Sequence, residues 1–326
     1  MYRLYDEHQA KAAKHYSQYN KAFAAAVSNF LTGLPDGCYA KQLLEGAKDE
    51  NNDLVRVLLM GSFEEQKTLI KKIDEDLNIL VGVDPDAKKN FIEQMKKLFV
   101  DGMYDNNKFF SKSEHVKRVD IEICPYCGRS YIYFAEHPTK SNSKTMVKPA
   151  IDHFLPKDVY PYLAVNYYNL IPSCTTCNNS PCKWTHDPIG DTRDKEYLMH
   201  PYLFDDDKIG FSYLPTTMLY NKEHIKVKMD CDNTDLDEGY KKWLNLDQFY
   251  GKHNGMVKNM YIQLSGLQKA YQKFTGRTFS VPKAFIDGLP IVMFGYDLAP
   301  ERAKEELMYK FKKDIFVQLR KDLYKV

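Results

Sequence analysis

Two cysteine pairs, Cys124-Pro125-Tyr126-Cys127 and Cys174-Thr175-Thr176-Cys177, each set two thiols on a turn tight enough to aim both sulfurs at one ion. Four thiolates complete the tetrahedral shell of zinc at about 2.3 Å, and a zinc whose four positions are all filled by protein is structural. It would clamp the long, loop-rich insert between the pairs. Cys182 is a rival fourth ligand, less well spaced from Cys177. A redox C-x-x-C belongs at a helix start after a strand in a βαβ unit, which this region does not resemble. Inside the insert, Asp152 and His153 are adjacent, Asn166 and Asn169 follow, and Asn178 lies just past the second pair. An imidazole exchanges protons near neutrality, and carboxylate and carboxamide oxygens suit hard divalent cations.

These residues need elements to position them. From Arg3 to about Asn106, apolar residues recur at helical spacing in Phe23-Val27-Phe30-Leu31, Leu54-Val57-Leu58 and Phe91-Met95-Leu98-Phe99. Turn chemistry breaks the pattern at Gly33-Leu34-Pro35-Asp36-Gly37 and Val83-Asp84-Pro85-Asp86. This first stretch is expected to be a scaffold or partner-docking region. After Leu203, Ile209-Phe211-Tyr213 and Ile225-Val227-Met229 alternate as strands do, predicting a hairpin. Helices return from Leu236, the last opening at Pro300-Glu301 with a charged face expected to be solvated. The expected divisions are a helical domain over 1–118, the cysteine-bearing domain over 119–205, and a hairpin plus helices over 206–326.

The run Asp152-His153-Phe154-Leu155-Pro156-Lys157, then Asn169-Leu170-Ile171-Pro172-Ser173-Cys174-Thr175-Thr176-Cys177-Asn178, opened by Cys124-Pro125-Tyr126-Cys127-Gly128-Arg129, resembles the zinc-containing HNH endonucleases. The resemblance covers about 60 to 80 residues. It implies a fold that is mostly α with a small α+β insert, a ββα-metal core with a four-cysteine zinc site between helical flanks. It also implies hydrolysis of DNA phosphodiester bonds, in which a base deprotonates water and a cation absorbs charge on the phosphoryl oxygens. By resemblance His153 is the general base, and Asp152 and Asn178 hold a catalytic Mg²⁺ or Mn²⁺. Asn169 orients the loop that keeps His153 in place. Arg129, Lys157 and Lys183 are candidate phosphate contacts, with a solvated surface role as the alternative.

Three departures from the family pattern stand out. Its third letter is Asn178 rather than His, which leaves Asn179 and His186 as rival ligands. The segment from Cys177 to Lys183 is longer than usual and contains Pro181. Neighbouring strand residues also point to opposite faces, so Asp152 and His153 share a site only where a strand ends or twists.

Leu198-Met199-His200-Pro201-Tyr202 and the Cys-Pro-Tyr-Cys-Gly-Arg opening are most similar to HNH subunits of Septu-type anti-phage systems, in which a separate ATPase regulates the nuclease. No G-x-x-x-x-G-K-[ST] phosphate loop occurs here, so ATP-linked control would come from a partner. A non-catalytic zinc module for nucleic acid or protein is the alternative from another class, and RNA cleavage a third.

The bulk numbers are compatible with this reading. Among 326 residues, 44% are hydrophobic and 28% charged, which excludes a disordered chain. The net charge of +2 means that any cationic surface is local. Seven cysteines, an odd number, favour metal ligation over a disulfide framework. With no apolar run of membrane length and no signal-like leader in the N-terminal residues, a cytoplasmic location is expected.

Overall fold

Apolar residues spaced three and four apart wind the first hundred residues into helices that bury one stripe each. A computed structural model describes residues 1–4, 8–138, 144–214, 225–276 and 281–324. In α1 (His8–Leu31) the buried stripe runs Ala12, His15, Tyr19, Phe23, Val27 and Leu31. It is followed by α2 (Tyr39–Leu44), α3 (Asp53–Met60) and α4 (Phe63–Val81). Then α5 (Ala87–Met95) continues as a π-helical stretch, Lys96–Tyr104, before α6 (Lys112–Val119). The expected breaks fall between α1 and α2 and between α4 and α5.

Caps fix the starts. Ser62 accepts from the Glu65 amide while Glu65 reaches back to the Ser62 amide, a reciprocal capping box that opens α4. Ser111 accepts from the Glu114 amide at the start of α6. Phe23, Phe91, Phe99 and Phe110 are wholly or almost wholly buried, each contributing on the order of 1.5–3 kcal/mol of transfer free energy.

The strands form three two-stranded antiparallel sheets among the described residues. β1 (Ala135–Pro138) pairs with β2 (Lys144–Val147), and β3 (Ala150–His153) with β4 (Leu170–Ser173). A short helix, α7 (Thr175–Asn178), follows β4 and packs on β3. The predicted later hairpin is β5 (Ile209–Leu214) with β6 (Lys226–Cys231), in which Phe211 faces Met229 and Tyr213 faces Val227.

The remaining helices are α8 (Thr234–Leu236) with its π-helical continuation Asp237–Trp243, α9 (Leu246–Gly251), α10 (Asn254–Thr275), α11 (Lys283–Phe294) and α12 (Tyr309–Tyr324). The expected long helix from Pro300 is interrupted. Pro300–Lys304 is a 3₁₀ turn, and Met308 at φ +58° gives its amide to the Gly128 carbonyl at 2.7 Å before α12 begins. The face of α12 is also less solvated than expected, because Lys310 is buried and paired with Asp314 at 3.1 Å.

The chain groups into two compact units. One holds Leu4–Ile121 and Ile132–Glu196, so the β3–β4 hairpin belongs with the first six helices. The other holds Met1–Arg3, Glu122–Tyr131 and Tyr197–Val326. No helix among the described residues is long and apolar enough to cross a membrane.

Candidate metal centre and catalytic site

The first cysteine pair sits on a turn closed by two backbone bonds, from the Cys124 amide to the Ser130 carbonyl at 2.9 Å and from the Gly128 amide to the Cys124 carbonyl at 2.8 Å. Gly128 has φ +64°, and a Cβ there would collide with the backbone nitrogen of Met1, so the turn admits only glycine. The Arg129 amide points at the Cys127 sulfur at 3.4 Å. Cys174 caps α7, its sulfur accepting from the Cys177 amide at 3.5 Å. Amides aimed at sulfur favour the thiolate over the thiol.

All four cysteines are buried, and their sulfurs lie within 4.8 Å of one another. A tetrahedron of sulfurs at 2.3 Å from zinc has edges of about 3.8 Å. The all-sulfur donor set and its spacing therefore fit an ion such as zinc. Cys182, buried nearby in sequence, is not one of the four.

The second group of residues hangs on the loop between β3 and β4. Asp152 and His153 are the last two residues of β3, where the strand ends, and both are buried. His153 Nε2 lies 3.1 Å from the Ala164 carbonyl. A carbonyl only accepts, so Nε2 carries the proton and Nδ1 keeps its lone pair. Burial, reinforced by the Lys157 charge, pushes the imidazole pKa down to about 3, which leaves the ring neutral at neutral pH.

Asn169 is fully buried and spends its side chain on that loop. It accepts from the Leu155 amide at 2.7 Å and donates to the carbonyls of Leu155 and Leu163, each at 3.1 Å. Those bonds lace both ends of the loop together. Asn178 ends α7 and is half-buried, whereas its rivals Asn179 and His186 are exposed.

The candidate phosphate contacts occupy three different settings. Lys157 is partly exposed, its ammonium 3.5 Å from Asp105. Arg129 lays its guanidinium over Phe249, 4.5 Å from the ring centre. Lys183 differs from expectation: it is wholly buried, its ammonium 3.0 Å from Asp152 Oδ2 and 2.9 Å from the His153 carbonyl. A lysine so placed neutralises the Asp152 carboxylate and braces the strand end rather than facing solvent.

Several supports escaped the sequence reading. The buried Asn166 carboxamide donates to the Val57 carbonyl at 2.8 Å and accepts from Gln66 at 3.0 Å. Tyr167 gives its amide to the Leu59 carbonyl at 2.8 Å. Three buried histidines hold the same region: His15 Nε2 meets the Val165 carbonyl, His115 Nε2 the Leu170 carbonyl, and His8 the Tyr167 hydroxyl, all at 2.9 Å. The one sequence hint was His15 lying on the apolar stripe of α1, the usual place for a satisfied core histidine.

The site thus defines a mostly helical protein with a buried four-cysteine group that could bind a metal such as zinc, and an Asp-His strand end laced to helices. The sequence is similar to the Septu protein PtuB of Bacillus thuringiensis, at 35% identity over 107 residues. Those residues are 32% of this chain and 36% of that protein, so the chain spans little more than a third of that relative's length. No family model matches the sequence, and no solved structure matches it.

Proposed function

We propose that this chain is a divalent-metal-dependent HNH endonuclease that hydrolyses DNA phosphodiester bonds. The observation that carries the reading is the orientation of His153: Nε2–H is anchored on the Ala164 carbonyl, leaving a neutral ring with its Nδ1 lone pair available. In this reading β3, β4 and α7, which follow one another in that order, form a ββα-metal core. The four cysteines hold a structural zinc, and Asp152 and Asn178 hold the catalytic Mg²⁺ or Mn²⁺. The cation supplies positive charge to the phosphoryl and leaving oxygens.

His153 Nδ1 takes a proton from water, whose oxygen then bonds to phosphorus. The bond between phosphorus and the 3′ oxygen breaks, and that oxygen takes a proton from solvent, giving the 5′-phosphate and 3′-hydroxyl ends that the family resemblance implies. Asn169 keeps the loop closed so that the Ala164 carbonyl stays under the ring. Burial makes the imidazole a poor home for a proton in the free protein, and the anionic phosphate improves it as substrate arrives.

The similarity to PtuB supports a role in bacterial anti-phage defence, with a separate ATPase as regulatory partner. Co-purification with a neighbouring ATPase, and cleavage that changes with ATP, is the expected result for that part. For the chemistry, plasmid DNA is incubated with wild type and His153→Ala, with Mg²⁺ withheld and then restored. Nicking that needs the cation and vanishes in the variant is expected. Metal-independent nicking, or a variant as active as wild type, sinks the nuclease reading. A protein that binds DNA or a partner without cutting would instead be the non-catalytic zinc module.

A further inference from the structure

The π-helical stretch ends at Tyr104, whose buried ring meets that of His153 edge to face, with centres 4.4 Å apart and planes at 66°. Two ammonium groups also approach the Tyr104 ring. Lys112, the first residue of α6, lies 4.1 Å from its centre, and Lys157, on the loop after β3, lies 5.2 Å away. Both reach the carboxylate of Asp105, at 2.7 Å and 3.5 Å respectively. The aromatic ring is inside, but the charges are not. Side chains of Lys112, Lys157 and Asp105 are 26%, 35% and 45% exposed.

An ordinary surface ion pair joins one cation to one anion and contributes little. Here two cations share one anion, leaving an excess of one positive charge beside the proposed base. Three separate segments supply the group, and the shared carboxylate holds both ammoniums near the ring. The helical region thereby reaches into the site, although its sequence carries no nuclease motif.

We propose that Lys112 and Lys157, backed by Tyr104, form a subsite for a phosphate of the bound DNA strand beside the scissile one, a phosphate that displaces them from Asp105. The proposal rests on the nuclease reading and adds to it a substrate contact from outside the motif-bearing stretch. Phosphodiester oxygens can accept from both ammoniums, in competition with the Asp105 carboxylate that holds them now. Tyr104 links that contact mechanically to the ring of His153.

The test uses the full chain and a fluorescent DNA duplex in buffer without added divalent cation, with affinity followed across salt concentrations. Each phosphate neutralised changes the slope of log affinity against log salt by about 0.9. Lys112→Gln and Lys157→Gln are each expected to lower the slope by about that amount, and to weaken binding about fivefold near 0.15 M salt. Asp105→Asn removes the competing anion and is expected to tighten binding. Asp232→Asn, at an exposed carboxylate outside the cluster, controls for a general loss of negative charge, and a urea melt of Asp105→Asn checks its fold. A gain specific to Asp105 thus keeps the proposal testable if a lysine variant is unstable.

Plasmid cleavage with Mg²⁺ runs in parallel. Wild-type cleavage that depends on His153, combined with unchanged slopes in both lysine variants, overturns the subsite alone. Weaker binding by Asp105→Asn also overturns it, because a merely structural cluster behaves that way. Absence of His153-dependent cleavage overturns the nuclease reading and the subsite with it.

Discussion

Replacing Lys183 with Met removes the ammonium that sits 3.0 Å from Asp152 while keeping a side chain of similar length. The lysine is fully buried and the aspartate only 3% exposed, so water cannot substitute for the lost charge. Removing one member of a buried ion pair costs about 3–5 kcal/mol, most of it the penalty of a buried charge left uncompensated. Lys183→Met is therefore expected to unfold at clearly lower urea, with stability reduced by that amount at neutral pH. Adding Asp152→Asn to it removes the stranded charge and should restore most of the loss.

If Asp152 also faces a divalent cation, the single variant has a second signature. Without the lysine, the carboxylate draws the cation more strongly, so Mg²⁺ should raise the stability of Lys183→Met more than that of wild type, by linkage. Urea unfolding of the four proteins of this cycle, each with and without Mg²⁺, is the assay. A cost below about 1 kcal/mol for the single variant, or no recovery in the double, refutes the claim that Lys183 neutralises Asp152.

Three other outcomes follow from the same geometry. Cys174→Ser should lose most of its bound zinc by metal analysis, because the sulfur of Cys174 is one of four that lie within 4.8 Å; unchanged stoichiometry counts against the centre. Asn169→Ala leaves the Leu155 amide and carbonyl without their side-chain partner, removes one of two bonds to the Leu163 carbonyl, and should cost about 2 kcal/mol or more, with cleavage falling along with stability; a change under about 1 kcal/mol in urea melts would contradict the lacing role. Acid should weaken the fold through the buried histidines. Burial holds His115 down to about 4 and His15 well below its ordinary value, so the unfolded chain binds more protons as pH falls below about 6.5. Stability is then full above that pH and declines toward pH 4, by about 3 kcal/mol for His115 alone, and His115→Gln should flatten the decline in pH-dependent urea titrations.

The chemistry-bearing residues were legible because their signals are local. A C-x-x-C pair needs only a tight turn, and Asp152-His153 needs only a strand end, so spacing along the chain reports both. The helices of the first region were legible from the apolar period, which Phe23, Val27 and Leu31 keep in α1. The hairpin of β5 and β6 was legible from alternation.

The illegible parts depend on distant partners. Lys183 reads as a surface cation in sequence, and only the fold brings it to Asp152. Nothing local in Asn166 announces that it will bond to Val57 and Gln66, which lie about a hundred positions earlier. Met308 broke a helix that composition predicted, because its amide is taken by the Gly128 carbonyl. Tyr104 carries no signal of its own in the sequence, and its meeting with His153 depends on a π-helical turn that periodicity does not encode.

The span from Phe154 to Asn169 is hung from outside. Val57, Leu59, Gly61 and Gln66 hold its asparagine and tyrosine, and histidines of α1 and α6 hold its flanks. A graft of the motif-bearing stretch onto another scaffold would arrive without its suspension, keeping the right letters while losing their aim. By the same token, a force exerted at the corner between α3 and α4 reaches the carbonyl beneath the histidine ring through a short chain of bonded residues. That corner bears on the candidate site from a place that no residue of the motif would reveal.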